Sequence, residues 1–303
     1  MNRSFLLRYI RLSIAASIAV IFIKTAAWYL TGSVGLLSDA VESVINLIAG
    51  VMAMVMFKIS VLPPDKNHEY GHDKAEYFSS LIEGILILTA SVGIICTAVV
   101  RFIDPQPIEK LGIGLIVSFI AAAINFVVAR ILLKAGRKYS SITLEADSYH
   151  LMADVWTSVG VIAGVGIAGI TGWVRLDSMV AFLVGINIIV IAYKIIRRSV
   201  SCLMDTSLSS YELGIIESVL DEYRKKGIKF HALLTRQAAS RRFVSVHVLV
   251  SDEMTVHDAH HIADNIEADI RAALKDAVVF THLEPAGDEI SLDDIKLDRS
   301  KNN

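Results

Sequence analysis

The chain has 303 residues, 54% of them hydrophobic and 20% charged, with a mean hydropathy of +0.55. That is too apolar for an ordinary soluble domain, and the excess is confined to the first two thirds, so a membrane domain followed by a soluble one is expected. A formal net charge of −2 offers no broad basic surface and argues against nucleic acid as a partner. Cys96 and Cys202 lie far apart and outside any CxxC, so they suggest neither a disulfide framework nor a thiolate metal site.

The N-terminus, MNRSFLLRYIRLS, resembles the charged start of a signal peptide, but the apolar run after it is span-length and has no small-residue cleavage motif. It reads as a retained first span. About 20 mostly apolar residues cross the hydrocarbon core. Six stretches qualify, at 12–31, 36–57, 79–102, 112–134, 144–170 and 177–197, and predict an α-helical membrane bundle over residues 1–204. Gly32, Pro63-Pro64, Pro105, Pro107, Gly136 and Gly172 punctuate the joints. Lysine and arginine near the span ends set orientation. Arg3, Arg8 and Arg11 precede the first span. Lys58, Lys66 and Lys74 fall in the second-to-third loop, Arg137 and Lys138 in the fourth-to-fifth, and Arg197 and Arg198 close the sixth. Both termini are therefore expected in the cytoplasm. Lys24 interrupts the first span and reads as a snorkelling or cavity-lining cation.

From Asp205 the pattern becomes soluble. Ser209-x-x-Glu212 reads as a capping box opening an amphipathic helix that ends near Gly227. Residues 229–237 and 242–250 read as strands, Thr255-x-x-Asp258 starts a second helix to about Leu274, and VVFTHLEP is a third strand. The order αββαβ over residues 205–289 predicts a small α+β domain with helices on one face of a short sheet. Residues 290–303 read as a disordered tail.

Three constellations carry chemistry. Glu42 and Asn46 lie four apart on the second span, and His150 and Asp154 four apart on the fifth. Residues at that step are neighbours on a helix. Two such pairs on facing helices supply four N/O ligands, the number a tetrahedral zinc site uses, and ionisable groups at mid-membrane depth mark a site by default. Hydrogen bonding between helices would by itself account for Asn46. Asp39 and Asp147, one turn away, read as groups at exposed span ends, with an access path as the alternative. The loop PPDKNHEYGHDKAE offers Asp65, His68 and His72, one oxygen and two imidazoles in a short segment. In the soluble part, His231 and His247 lie on different strands, His260 on a helix, and His282 and Glu284 two apart on the last strand and so on one face. His257 and His261 have weaker claims as ligands.

These residues resemble the cation diffusion facilitator family of metal/proton antiporters over nearly the whole chain. The resemblance rests on HxxxD at His150 and Asp154, on DKNHxYGHDKAE, and on Thr235-Arg236-Gln237 followed by strand and helix histidines. It implies a ferredoxin-like cytoplasmic domain and a homodimer in a bacterial inner or plasma membrane, with Lys74 and Asp205 as charged partners near the membrane exit of the dimer. It further implies efflux of a divalent transition metal in exchange for protons. Family members commonly place Asp or His, then Asp, where this chain has Glu42 and Asn46. The donor set keeps Zn2+ as first choice and leaves Fe2+, Mn2+, Co2+ and Cd2+ in play. Two rivals stand beside transport. One is a membrane metal sensor or scaffold; the other, a metallohydrolase, lacks HExxH or any nucleophile–base pair.

Overall fold

The computed structural model describes residues 4–31, 34–104, 111–171 and 175–288, excepting the side chains of 31, 34–39, 41–42, 45, 111–114, 161, 164–171 and 177. The expected ligand Glu42, Asp39, the prolines at 105 and 107, and the tail after Asp288 therefore lie outside the described side chains or residues. The chain forms two compact units that divide between Ser201 and Cys202.

The first unit holds six long helices: α1 (Leu7–Thr31), α2 (Val34–Ser60), α3 (Ala75–Ile103), α4 (Leu111–Tyr139), α5 (Ile142–Thr171) and α6 (Arg175–Leu203). Among the described residues, four stretches are long and apolar enough to cross a membrane: Ser4–Leu30, Ala75–Ile103, Leu115–Tyr139 and Ser178–Leu203. α2 contributes a shorter apolar stretch, Asn46–Ser60. Phe22, Leu30, Ile116, Phe119 and Leu183 are exposed, so the outer face is as apolar as a hydrocarbon surround demands.

Two apolar clusters hold the helices together, and α5 belongs to both. Leu144 and Leu151 pack with Ile10 of α1, Phe57 of α2 and Leu132 of α4. Ala146 and Ala153 pack with Ile87 of α3 and Ile188, Ala192 and Ile195 of α6. At about 100° per residue, Asp147, His150 and Asp154 fall on the arc between those two stripes. The polar line of α5 is thus the seam between two dry packings.

The α4–α5 joint is tight. A Cβ on Gly136 would lie 2.9 Å from the Glu145 backbone nitrogen and 2.8 Å from its Cγ, so the corner requires glycine. Across it, the Glu76 carboxylate of α3 accepts from Ser141 Oγ at 2.6 Å and from the Thr143 backbone N–H at 3.5 Å, capping the start of α5.

The second unit has α7 (Ser210–Arg224), β1 (Lys229–Ala238), β2 (Arg241–Val250), α8 (Val256–Ala273) and β3 (Ala277–Pro285). The expected capping box is present: the Ser209 side chain accepts from the Glu212 backbone, and the Glu212 carboxylate accepts from the Ser209 backbone. The sheet runs β1-β2-β3, with β1–β2 antiparallel and β2–β3 parallel. Val244, Val246, Val248 and Val250 alternate onto one face. There they meet Ile216 and Leu220 of α7 and Ile266 and Ile270 of α8. Both helices cover that face, which leaves the other for the intervening residues.

Candidate metal centres

In the first unit, α2 and α5 bring two of the expected ligands into contact. Asn46 Nδ2 donates to Asp154 Oδ2 at 2.6 Å, and His150, one turn earlier on α5, is buried. A third helix joins them: Asn125 of α4, also buried, points Nδ2 at the same Asp154 oxygen at 3.4 Å. The sequence signal for Asn125 is a lone side-chain amide within the apolar run 112–134. In this arrangement two amide N–H groups donate to one Asp154 oxygen. To ligate a cation, Asn46 must turn its amide so that Oδ1 replaces Nδ2.

Asp147 departs from expectation. It is 5% exposed and accepts from Ser13 Oγ of α1 at 3.0 Å, so it is an interior group and no exposed span end. The reason is the seam: α1 and α3 pack over the start of α5 and remove Asp147 from the surface.

The loop residues do converge. Asp65 Oδ1 lies 3.2 Å from His68 Nδ1, and Asp65 Oδ2 lies 3.3 Å from His72 Nε2. Zinc–ligand bonds of about 2.05 Å at tetrahedral angles place neighbouring donors about 3.3 Å apart, so this separation already suits the ion. The loop is built for it locally. Asp65 Oδ1 accepts from the backbone N–H groups of Asn67 and His68, both at 2.8 Å, and Gly71 turns the chain at φ 87° to return His72. Those two backbone donors hold the Asp65 carboxyl below the usual carboxylate range, keeping it ionised and ready to ligate.

The soluble unit assembles the third centre on the sheet face away from the helices. His231 pairs with His247 across β1–β2, and His247 with His282 across β2–β3, setting three imidazoles in a row. A register break between His231 and Leu234, with Ala232 at φ 47°, re-aims the start of β1. Glu284, two residues beyond His282, completes the set. Its Oε2 is 2.7 Å from His231 Nε2, its Oε1 is 2.9 Å from His247 Nδ1, and the two imidazole nitrogens are 3.2 Å apart. Glu284 is buried, as an anion here must be compensated to be. His282 sits at the rim, largely exposed, with Nε2 3.6 Å from Glu284 Oε1. His260 is not brought to the cluster. It lies on the outside of α8, 3.4 Å from Asp264, because α8 covers the opposite, valine-lined face. His257 and His261 contact each other on the same helix. The three close donors, His231, His247 and Glu284, fit a divalent metal, and so do Asp65, His68 and His72.

Asp205, at φ 59° just past α6, lies 3.2 Å from Arg236 of β1, and that guanidinium stacks over Phe243 at 4.1 Å. Arg236 is therefore a partner of Asp205 that the charge pattern did not reveal.

Comparison with known proteins identifies the family. Residues 10–204 match the family model described as cation efflux transmembrane domain, and residues 208–286 match cation efflux protein, cytoplasmic domain. An uncharacterized transporter of Synechocystis is 44% identical over 92% of this chain and 90% of its own length. The cation-efflux pump FieF of Klebsiella pneumoniae is 29% identical over 94% of this chain and 96% of its own length. Among solved structures, a putative zinc transporter, CzrB, in its zinc form is 29% identical with a TM-score of 0.26, covering 28% of this chain and 96% of that one. The two family models together span both units, and the chain belongs to the cation diffusion facilitator family of cation-efflux transporters.

Proposed function

We propose that this transporter exports a divalent transition metal from the cytoplasm in exchange for protons, Zn2+ first and Fe2+, Mn2+, Co2+ and Cd2+ within range of the same donors. The observation that carries the reading is the contact of Asn46 with Asp154 beside buried His150, which joins α2 and α5 through ligand-type groups. Glu42, Asn46, His150 and Asp154 form the transport site, with Asn125 behind Asp154. Ligands must be deprotonated to bind, so metal and protons compete for the same atoms, and a proton-rich exterior releases the metal.

In this reading all six long helices span the bilayer over residues 1–204, and residues 205–289 form a ferredoxin-like cytoplasmic domain. Both termini are cytoplasmic, in keeping with the lysines and arginines flanking the spans. The protein works as a homodimer in the bacterial inner membrane, with Lys74 and Asp205 near the dimer's membrane exit. Asp65, His68 and His72 take metal in the loop. His231, His247 and Glu284 take it in the cytoplasmic domain, with His282 at the rim and His260 reaching metal only by a rearrangement or from a second protomer. Metal there biases the transport equilibrium to the extent that its affinity differs between the two states.

The test is metal flux in proteoliposomes under an imposed pH gradient with a panel of divalent ions. His150→Ala and Asp154→Ala are expected to stop proton-coupled flux; flux that persists in both ends this reading. A sensor or scaffold would show metal binding with no flux in the wild type.

A further inference from the structure

The first unit contains a buried carboxylate pair that the transport site does not use. Glu83 of α3 is 3% exposed and Asp147 of α5 is 5% exposed, and the two interact electrostatically across the α3–α5 contact. Each has one weakly or singly occupied oxygen. Ser79 Oγ lies 3.5 Å from Glu83 Oε1, and Ser13 Oγ donates to Asp147 Oδ1 at 3.0 Å. The other oxygens, Glu83 Oε2 and Asp147 Oδ2, are buried and accept no hydrogen bond among the described residues. Neither carboxylate is paired with a lysine or arginine among those residues; the His150 imidazole, one turn along α5, is the cation-capable group whose charge reaches Asp147.

Two like charges buried together without a lysine or arginine beside them are costly, and a bare buried carboxylate oxygen costs further desolvation. One divalent cation between them cancels the formal charge and gives both orphan oxygens a partner. The donors are two carboxylates and the Ser13 and Ser79 hydroxyls, all hard oxygen, without the imidazole that marks the neighbouring site. Such a set suits ions content with oxygen, Mn2+ above all among the transition metals, and takes softer ions less well.

We propose that Glu83 and Asp147, assisted by Ser13, form a separate all-oxygen binding site for a divalent cation at the Ile142 end of the α5 seam. Its role as a staging point for cargo rests on the transport function proposed above; the binding itself does not.

The experiment counts Mn2+ bound per chain by electron paramagnetic resonance on the full-length protein in detergent, with monodisperse elution required of every variant. Glu83→Gln/Asp147→Asn is expected to lose one equivalent relative to wild type. His150→Ala/Asp154→Ala is expected to keep that equivalent, and adding the Glu83 and Asp147 substitutions to it to remove it. Equal counts in wild type and Glu83→Gln/Asp147→Asn overturn the proposal. So does a four-fold variant that binds as much as His150→Ala/Asp154→Ala, because the site would then be part of the transport site. If the double variant does not elute cleanly, the isosteric Glu83→Gln alone must weaken that equivalent at least ten-fold, and an unchanged titration overturns the site. Metal flux is measured on the same samples: a missing flux with the equivalent retained refutes transport and leaves the site standing.

Discussion

Replacing Glu284 by Gln or Ala tests whether the cytoplasmic cluster is a metal centre or an ion-pair network. Glu284 is the one anion among the three close donors, touching His231 at 2.7 Å and His247 at 2.9 Å. Structural zinc in four-ligand peptides is held by about 10–16 kcal/mol, so one ligand carries roughly 2.5–4 kcal/mol, or about 100- to 1,000-fold in affinity. Ala is expected to lose the full factor. Gln, which keeps an oxygen donor without its charge, is expected near the lower end. The assay is zinc competition against a chromophoric chelator, with full-length protein in detergent carrying Asp65→Ala and His150→Ala so that the other centres do not compete. A second readout is thermal: a ligand at 100 times its Kd adds about 2.7 kcal/mol, so zinc should raise the melting temperature of the parent and not of Glu284→Ala. If Glu284→Ala binds zinc as tightly as its parent, these residues form no metal site, and the histidines merely compensate a buried carboxylate.

Four further outcomes follow from the same geometry. Ser209→Ala removes the capping-box acceptor of α7 and is expected to cost about 1 kcal/mol in chemical denaturation of the cytoplasmic unit. Tyr223→Phe deletes the 2.6 Å hydrogen bond to Asp269 and is expected to cost about 1–1.5 kcal/mol. Burial first, and the Asp269 carboxylate second, push the Tyr223 phenol up from 10.0 to about 12. A raised folded value stabilises fully below the unfolded one, so this contribution persists up to about pH 10 and is lost as pH rises through about 12; Tyr223→Phe should flatten that alkaline limb of the stability profile. Gly136→Ala forces Cβ against the Glu145 backbone, and a loss of about 1–3 kcal/mol is expected as a lowered melting temperature in detergent.

Periodicity and ligand spacing made much of this molecule legible before any coordinates. The helix and strand order of the cytoplasmic unit follows the sequence patterns closely, because capping residues and two-residue alternation are local signals that tertiary packing reinforces. Asp65, His68 and His72 converge for a similar reason: they are close in sequence, and an Asx turn and one glycine suffice to gather them. His260 lies apart from the His231–His247–Glu284 cluster, which sequence alone does not reveal: it places His260 on a helix and not on a particular face of the sheet. Only the valine row of β2 decides that. Asn125 and Glu83 are hard to read from sequence because each is the single amide or carboxylate of its apolar run, with no second ligand type at helical spacing, and helix–helix hydrogen bonding is the ordinary explanation. That Asn125 reaches Asp154, and that Glu83 lies within electrostatic range of Asp147, are facts of helix packing at a separation of many residues.

The position of the polar line on α5 also bears on how such a site can change state. His150 and Asp154 lie between one stripe that packs on α1, α2 and α4 and another that packs on α3 and α6. Close-packed interiors resist continuous deformation, so a movement costs least where side chains interdigitate least. On the α3 and α6 side, the buried residues that α5 contributes are small, Ala146 and Ala153, set against Ile87, Ile188 and Ile195. Small residues there let helices slide with little side-chain interdigitation to break. Asn46 and Asp154 are joined across α2 and α5, whereas Glu83 lies on α3. On the transport reading, sliding of α3 and α6 past α5 would therefore leave Asn46, His150 and Asp154 together while it separates Glu83 from Asp147. The same displacement would alter access to the cargo and dismantle the carboxylate pair, at the cost of only the alanine contacts of α5 with α3 and α6.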